Sequence, residues 1–255
     1  MTPYVSVVTA AYNARATLEA SLASVAGQTL KDYEHIIVDD GSSDGTAALL
    51  REICARDARV RCLTTRNRGS AAARNEAIRA ARGRYIAVLD ADDTAAEQRL
   101  AVQTDFLSAN PDIDVLGAVA QFVGEDGKVV ATSRPEVEHE TIVRNIYRRC
   151  PFVHSTVVAR RSFFEETGGY NEALRRCQDY DLWLRGHRTS VYHNLETVVG
   201  RYKVRSRPLL VSDLYVASVL LRATWRDRRF LRNGHMAFRP MVATALDRMG
   251  LLQRP

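Results

Sequence analysis

Tyr85-Ile86-Ala87-Val88-Leu89-Asp90-Ala91-Asp92-Asp93 decides the fold. The apolar run reads as a buried strand, and the three carboxylates packed into the next four positions leave it at its carboxyl end. Alternation along an extended tip points Asp90 and Asp92 to one side. Like charges that close repel unless a proton or cation intervenes, and a hard divalent ion shared with substrate phosphates is the commonest resolution. A solvated acidic turn, with Asp93 or Thr94 capping the next helix, accounts for the same residues.

Outward towards the amino terminus the pattern repeats. Val5–Val8, Tyr33–Val38 and Val60–Thr64 read as strands, and helical stretches follow them over 14–28, from Thr46, and over 70–81. Strand, loop and helix in this rhythm predict parallel β-α-β units with right-handed crossovers, whose ligands sit beyond the carboxyl ends of the strands. Polar residues cluster at those ends: Tyr12 and Asn13, Asp39 and Asp40, Asn67 and Arg68, then Asp90 and Asp92. Taken singly, each has a structural explanation in turn chemistry or packing; their convergence on one rim points to a site.

Towards the carboxyl terminus the rhythm breaks. A helix over 94–109 is followed by a hairpin of 113–123 with 128–132, a strand at His154–Val158 and a break at Gly168-Gly169-Tyr170. An amphipathic helix then opens at Gln178, where Asp181 and Arg185 stand four apart and can pair, while Asp179 has no such partner.

A length of 255 residues suits one α/β domain with a full core. The four cysteines lack metal-ligand spacing, so free thiols in a reducing cytoplasm are expected, and no apolar run reaches the length of a membrane span. The net charge of +6 attracts anions without saying which, but zinc-finger, helix-turn-helix and aromatic-basic signatures are all missing, which makes nucleic acid the weaker partner. From Pro208 onward, leucines and valines give way to Arg222, Arg226, Arg228, Arg229 and Arg232. This basic helical extension, 208–255, suits either an anionic membrane surface or packing on the catalytic domain or a second subunit of a homodimer.

The set VSVVTAAYN, VDDGSSDGT, NRGSAAARNEAI, YIAVLDADD, Gly168-Gly169-Tyr170 and QDYDLWLR resembles, in order and spacing, the bacterial family 2 glycosyltransferases of GT-A fold, over about 5–207. The resemblance implies a Rossmann-like, mostly parallel central sheet flanked by helices, with a mixed second half. It implies inverting transfer of a sugar from a nucleoside diphosphate sugar, uridine favoured, to the hydroxyl of a glycan or lipid-linked acceptor in cell-surface polysaccharide or glycolipid synthesis. Carried over by position, Tyr12 neighbours the base and Asp40 hydrogen-bonds it, with Ala10 and Asn13 in the same first loop. Arg74 belongs to the nucleotide-binding helix, and Asp90-Ala91-Asp92 meets the ribose and the metal diphosphate, Asp92 being the direct ligand of Mn2+ or Mg2+ with Asp90 beside it. Asp179 is the implied general base, with His154 and Gln178 on the acceptor side, His154 being equally readable as a buried structural histidine.

Two departures stand out. Ala10 replaces a proline or threonine, and the loop Gly200–Ser206 carries Lys203 and Arg205 where relatives often place a histidine that clamps the diphosphate or metal. Cations there would neutralise the leaving diphosphate directly. A nucleotidyltransferase would also pair carboxylates with metal but needs a glycine- and lysine-rich phosphate loop that this amino terminus lacks; a binding module without turnover is the other alternative.

Overall fold

The computed structural model describes residues 2–204 and 209–227. The first half runs β1 (Val5–Ala11), α1 (Arg15–Ala26), β2 (Tyr33–Asp39), α2 (Thr46–Arg56), β3 (Val60–Thr64), α3 (Ser70–Ala80) and β4 (Tyr85–Val88). The second half runs β5 (Thr94–Ala95), α4 (Arg99–Ala109), β6 (Val115–Val123), β7 (Val129–Thr132), α5 (His139–Asn145), β8 (Val158–Arg160), α6 (Arg161–Thr167), α7 (Gln178–Gly186), β9 (Tyr192–Lys203) and α8 (Leu209–Arg226).

One sheet organises both halves, in the order β3-β2-β1-β4-β8-β6-β9-β5, with β7 hanging on β6. β3, β2, β1 and β4 are parallel, with Val5 opposite both Tyr33 and Tyr85. Strands in that position are covered on both faces, which is why Val7, Val8, Ile36, Ile37 and Val88 are all buried rather than alternating with polar residues. The α3 face packs Ala71, Ala73 and Ala77 on Val8, Ile36 and Val38, and the other face packs Leu18, Leu22, Leu49 and Leu50 on Ala11 and Ile37. At β4 the direction reverses: β8 pairs antiparallel with β4 and with β6, whereas β6 and β9 are parallel. The fold is thus mixed α/β with a mostly parallel first half, as the sequence led us to expect.

Four local expectations are corrected. Thr94 does not open a helix: Thr94 and Ala95 pair with Arg201 and Gly200, the Ala96 N–H donates to the Val199 carbonyl at 2.8 Å, and α4 starts only at Arg99. His154–Thr156 is a 3-10 turn rather than strand, closed by Thr156 Oγ1 on the Val153 carbonyl at 2.7 Å, and β8 begins at Val158. The segment ending in Lys203 is the end of the long strand β9 rather than a loop. Cys54 and Cys62 form a disulfide with 6.5 Å between Cα atoms, because the turn after α2 folds β3 back beside the helix end; only Cys150 and Cys177 remain as thiols.

α8 docks Val219, Leu220 and Ala223 into the same core as α7, leaving Trp225 exposed. Among the described residues no helix is long and apolar enough to cross a membrane.

Candidate active site

Because β1, β2 and β4 are parallel, the loops that leave them share one edge of the sheet. The first two are sewn together by side chains. Asn13, at φ 48°, accepts the Ser43 N–H at 2.9 Å and its own N–H donates to Ser42 Oγ at 2.9 Å, while Asp44 accepts the Arg15 N–H at 3.0 Å. Tyr12 stands clear of them, 52 % exposed, with Ala10 partly buried beneath. Asp40 is buried and fully used: Oδ1 accepts from Thr65 Oγ1 and the Arg68 N–H, both at 2.9 Å, and Oδ2 from the Gly69 N–H at 2.7 Å. It shapes the loop that launches α3, and α3 delivers Arg74.

Arg74 and Asp90 form the charged centre. Arg74 Nη2 donates to Asp90 Oδ1 at 2.7 Å, and His154 Nδ1 lies 3.4 Å from Asp90 Oδ2. The carboxylate only accepts, so Nδ1 carries the proton and Nε2 accepts from the Tyr170 hydroxyl at 2.9 Å. Burial alone would favour the neutral forms of Arg74 and Asp90; their mutual attraction outweighs it, holding the Asp90 carboxyl well below the usual carboxylate range and Arg74 above its ordinary value.

The acidic stretch itself is a turn. The Asp93 N–H donates to the Asp90 carbonyl at 3.1 Å, so the alternation that would set Asp90 and Asp92 side by side does not extend past Val88. The Ala91 carbonyl accepts from Thr17 Oγ1 at 3.0 Å, tying the turn to α1. Asp93 points inward, where its carboxylate accepts from Ser155 Oγ and, at 2.8 Å, from the Lys203 N–H; it caps no helix. Burial, reinforced by the charges of Asp90 and Asp92, pushes its carboxyl up to about 8. Ser155 Oγ also accepts the Asp90 N–H at 3.1 Å, so one hydroxyl couples both acids. Arg205 lies outside the described residues.

A cavity of about 520 Å³ opens beside this centre and brings Arg74, Asp90, His154, Gln178, Asp179 and Tyr202 to one wall system. α7 presents the last acids. Asp179 sits in its first turn, and Asp181, facing away, pairs with Arg185 at 2.8 Å. Gln178 reaches back, its Oε1 3.5 Å from Arg74 Nη1, while its Nε2 donates to the Leu174 carbonyl at 3.0 Å. What ties the segment ahead of α7 to α3 is Asn75, whose Oδ1 accepts the Tyr170 N–H at 2.8 Å and whose Nδ2 donates to the Tyr170 carbonyl at 2.8 Å and Glu172 Oε1 at 3.0 Å. Gly169, at φ +71°, makes room for it: a Cβ there would meet Asn75 Oδ1 at 2.6 Å.

Asn75, Ser155, Tyr170 and the inward role of Asp93 escaped the reading of the sequence. Asn75 and Ser155 sit beside residues singled out there, but nothing local distinguishes a clamp from a solvated amide or hydroxyl. Asp92, Tyr12 and Asp40, on the adjoining loops, and Lys203, at the end of β9, lie off the wall of the cavity.

A profile described as glycosyl transferase family 2 matches residues 6–168. The chain is 31 % identical over 240 residues to MJ1057, an uncharacterized glycosyltransferase of Methanocaldococcus jannaschii, covering 91 % of this chain and 82 % of that one. It is 33 % identical over 186 residues to WfaP of Escherichia coli, a UDP-Glc:alpha-D-GlcNAc-diphosphoundecaprenol beta-1,3-glucosyltransferase, covering 71 % and 68 %. Solved structures of similar fold include S. aureus TarS with UDP-GlcNAc, TM-score 0.68 at 18 % identity over 92 % of this chain and 72 % of that one. Another is the mannosyltransferase PcManGT of Pyrobaculum calidifontis with GDP-Man and Mn2+, TM-score 0.67 at 20 % identity over 96 % and 76 %. With its motifs, its GT-A fold and a family profile spanning most of its length, this chain belongs to glycosyl transferase family 2 and is a glycosyltransferase.

Proposed function

We propose that the chain moves a sugar from a nucleoside diphosphate sugar to an acceptor hydroxyl with inversion, in the making of a cell-surface glycan. The observation that carries this reading is the cavity shared by Asp179 and the Arg74–Asp90 pair, residues from α7, α3 and the β4 turn that are far apart in the chain. Inversion needs one displacement, with the incoming oxygen opposite the leaving diphosphate. The Asp179 carboxylate takes the proton from the acceptor hydroxyl as that oxygen bonds to the anomeric carbon, and the bond from that carbon to the diphosphate oxygen breaks. Arg74, fixed by Asp90 and Gln178, presents positive charge that is already oriented before the leaving group develops its own.

Mg2+ or Mn2+ fits the turn at 90–93 by donor chemistry. Asp90, Asp92 and Asp93 put hard oxygen donors within four residues of one turn beside the cavity, although among the described residues no group of three metal-ligating side chains exists. Asp90 pairs with Arg74 and His154, and Asp92, the carboxylate that the family resemblance gives to the ion, would hold it together with oxygens of the donor phosphates. When bound, the ion supplies Lewis acidity to the diphosphate. Uridine is the favoured base, supported by the UDP-glucose donor in the name of WfaP, while PcManGT was solved with GDP-Man. The test is a thermal-shift screen of nucleoside diphosphates with Mn2+, followed by transfer assays of Asp179→Asn. The expected result is unchanged nucleotide binding with turnover lowered by about a hundred- to ten-thousand-fold. Normal turnover by Asp179→Asn would overturn the assignment of the base.

A further inference from the structure

Arg99, the first residue of α4, is a buried cation that the chemistry above does not use. It is 2 % exposed, and the hydrogen bonds it makes among the described residues go to uncharged acceptors. Nη2 donates to the Val88 carbonyl at 2.9 Å and to the Val157 carbonyl at 3.1 Å, and Nε donates to Gln103 Oε1 at 3.1 Å. Burial pulls the guanidinium down to about 10, against the opposing charge of Asp93, so it stays protonated at neutral pH. A charge held that far from water destabilises the fold unless its donors find acceptors, a difficulty that an apolar side chain of similar volume avoids.

The two carbonyls mark a fork. β4 and β8 pair antiparallel as far as Ala87 and Val158, and the Val88 N–H donates to the Val157 carbonyl at 2.9 Å. Past that point the chains part: one runs through Leu89 into the 90–93 turn, and the other leads back through Thr156 and Ser155 to His154. They meet again at the site, with the Asp90 N–H on Ser155 Oγ at 3.1 Å and Asp90 Oδ2 beside His154 Nδ1 at 3.4 Å. Arg99 spans the neck of this fork with one nitrogen. Gln103, one turn along α4, supports the arginine through Oε1 and donates from Nε2 to the Thr156 carbonyl at 2.8 Å and the Leu116 carbonyl at 3.3 Å. α4 therefore grips both branches before either reaches the site.

We propose that Arg99 is a positioning residue for donor binding. By fixing the Val88 and Val157 carbonyls it sets the gap between Asp90 on one branch and Ser155 and His154 on the other, and with it the shape of the turn that meets the metal diphosphate. It touches no substrate. The inference rests on the reading of the 90–93 turn as the seat of the donor diphosphate and its ion. A guanidinium suits the task because its planar fork holds its acceptors in fixed directions, whereas the ammonium of lysine is a point charge on a flexible stem. Groups that orient the direct contacts of a metal site are typically worth about ten- to a hundredfold in affinity.

The experiment compares the full wild-type chain with Arg99→Met, Arg99→Lys and Arg160→Met. It reads Tm without ligand, and the affinity for UDP with Mn2+ by titration calorimetry well below the lowest melting point. Arg160→Met is the control: Arg160 also commits its guanidinium to carbonyls, those of Ile113 and Leu107 at 2.8 Å and of Asn110 at 3.1 Å, but it pairs with Tyr85 at the opposite end of the strands. The control is expected to melt early with its affinity unchanged. Arg99→Met is expected to melt early and to bind UDP with Mn2+ about ten- to a hundredfold more weakly, and Arg99→Lys, with the charge but not the fork, to fall between. Should Arg99→Met fail to fold, Arg99→Lys carries the test. Wild-type affinity in either variant would overturn the inference and leave the proposed activity standing, in Arg99→Met because the residue is then a brace only, in Arg99→Lys because charge and not the fork is what the site needs. An equal loss of affinity in Arg160→Met would overturn it too, since the weakening would then follow from instability. Failure of the wild type itself to bind UDP with Mn2+ would strike the donor reading, and the inference with it.

Discussion

Replacing Asn75 by alanine separates the scaffold of the site from its chemistry. The amide is 7 % exposed and makes three hydrogen bonds that join α3 to the Gly168–Glu172 segment ahead of α7. At about 1 kcal/mol for each bond the loss comes to roughly 3 kcal/mol, before any penalty for the Tyr170 N–H left buried and unpaired. For a domain of this size each kilocalorie lowers Tm by about 2–4 °C, so Asn75→Ala should melt roughly 6–12 °C early. The same change frees the segment ahead of α7, the helix that carries Asp179, so under the proposed function kcat for transfer should fall while nucleotide affinity, assigned to Arg74 and the 90–93 turn, holds. Differential scanning calorimetry and steady-state kinetics on one preparation read both quantities. A variant that melts with the wild type, or that loses nucleotide binding before turnover, refutes the role of Asn75 as the clamp between the two sides.

Three further outcomes follow from the charged groups. Arg74→Met strands Asp90 inside the protein and should cost about 3 kcal/mol in chemical denaturation, together with loss of nucleotide binding. Asp92→Ala should abolish the part of nucleotide-dependent thermal stabilisation that Mn2+ adds and EDTA removes, leaving the metal-free part in place; an unchanged Mn2+ increment would remove Asp92 as the ligand. Glu34 is buried, which by itself raises its carboxyl, but hydrogen bonds from Arg61, the Arg82 N–H and Ser6 win and hold it below the ordinary range. A depressed folded pKa contributes stability above the unfolded value and loses it as pH falls through the folded one. Glu34→Gln should therefore be less stable than wild type at neutral pH, with the gap closing as the pH drops below about 4 in urea titrations.

The first half of the sheet was legible because buried parallel strands are continuous apolar runs and their helices carry a clear period; Tyr33, Val60 and Ser70 begin their elements where the pattern says. Ends were harder. β1 runs on to Ala11, since Ala10 and Ala11 pair with Val38 and Asp39 in a register that no local signal reveals. β5 is only Thr94 and Ala95, and it exists because β9 reaches it from a hundred residues away. The carboxylates of the site could be picked out as residue types gathered at strand ends, but their division of labour could not. Asp92 and Asp93 differ by one position, and tertiary contacts from Ser155 and Lys203 turn the second inward. The Cys54–Cys62 bond was missed for a related reason: a spacing of eight positions between cysteines carries no signature, and the bond depends on how tightly α2 returns to β3.

The reversal of strand direction between β4 and β8 divides the labour of the enzyme along a visible line. In the proposed function the loops and helix amino-terminal to it serve the nucleotide as one bank, and the segment after it, which brings His154, Asn75's partner loop and α7 to the same cavity, forms the other. Such a construction can be revised one bank at a time. Exchange of the stretch between β8 and β9 for that of a cousin should redirect the enzyme to a new recipient while the coinage it accepts as donor stays the same, which gives the lineage a route to diversify its glycans without rebuilding its engine.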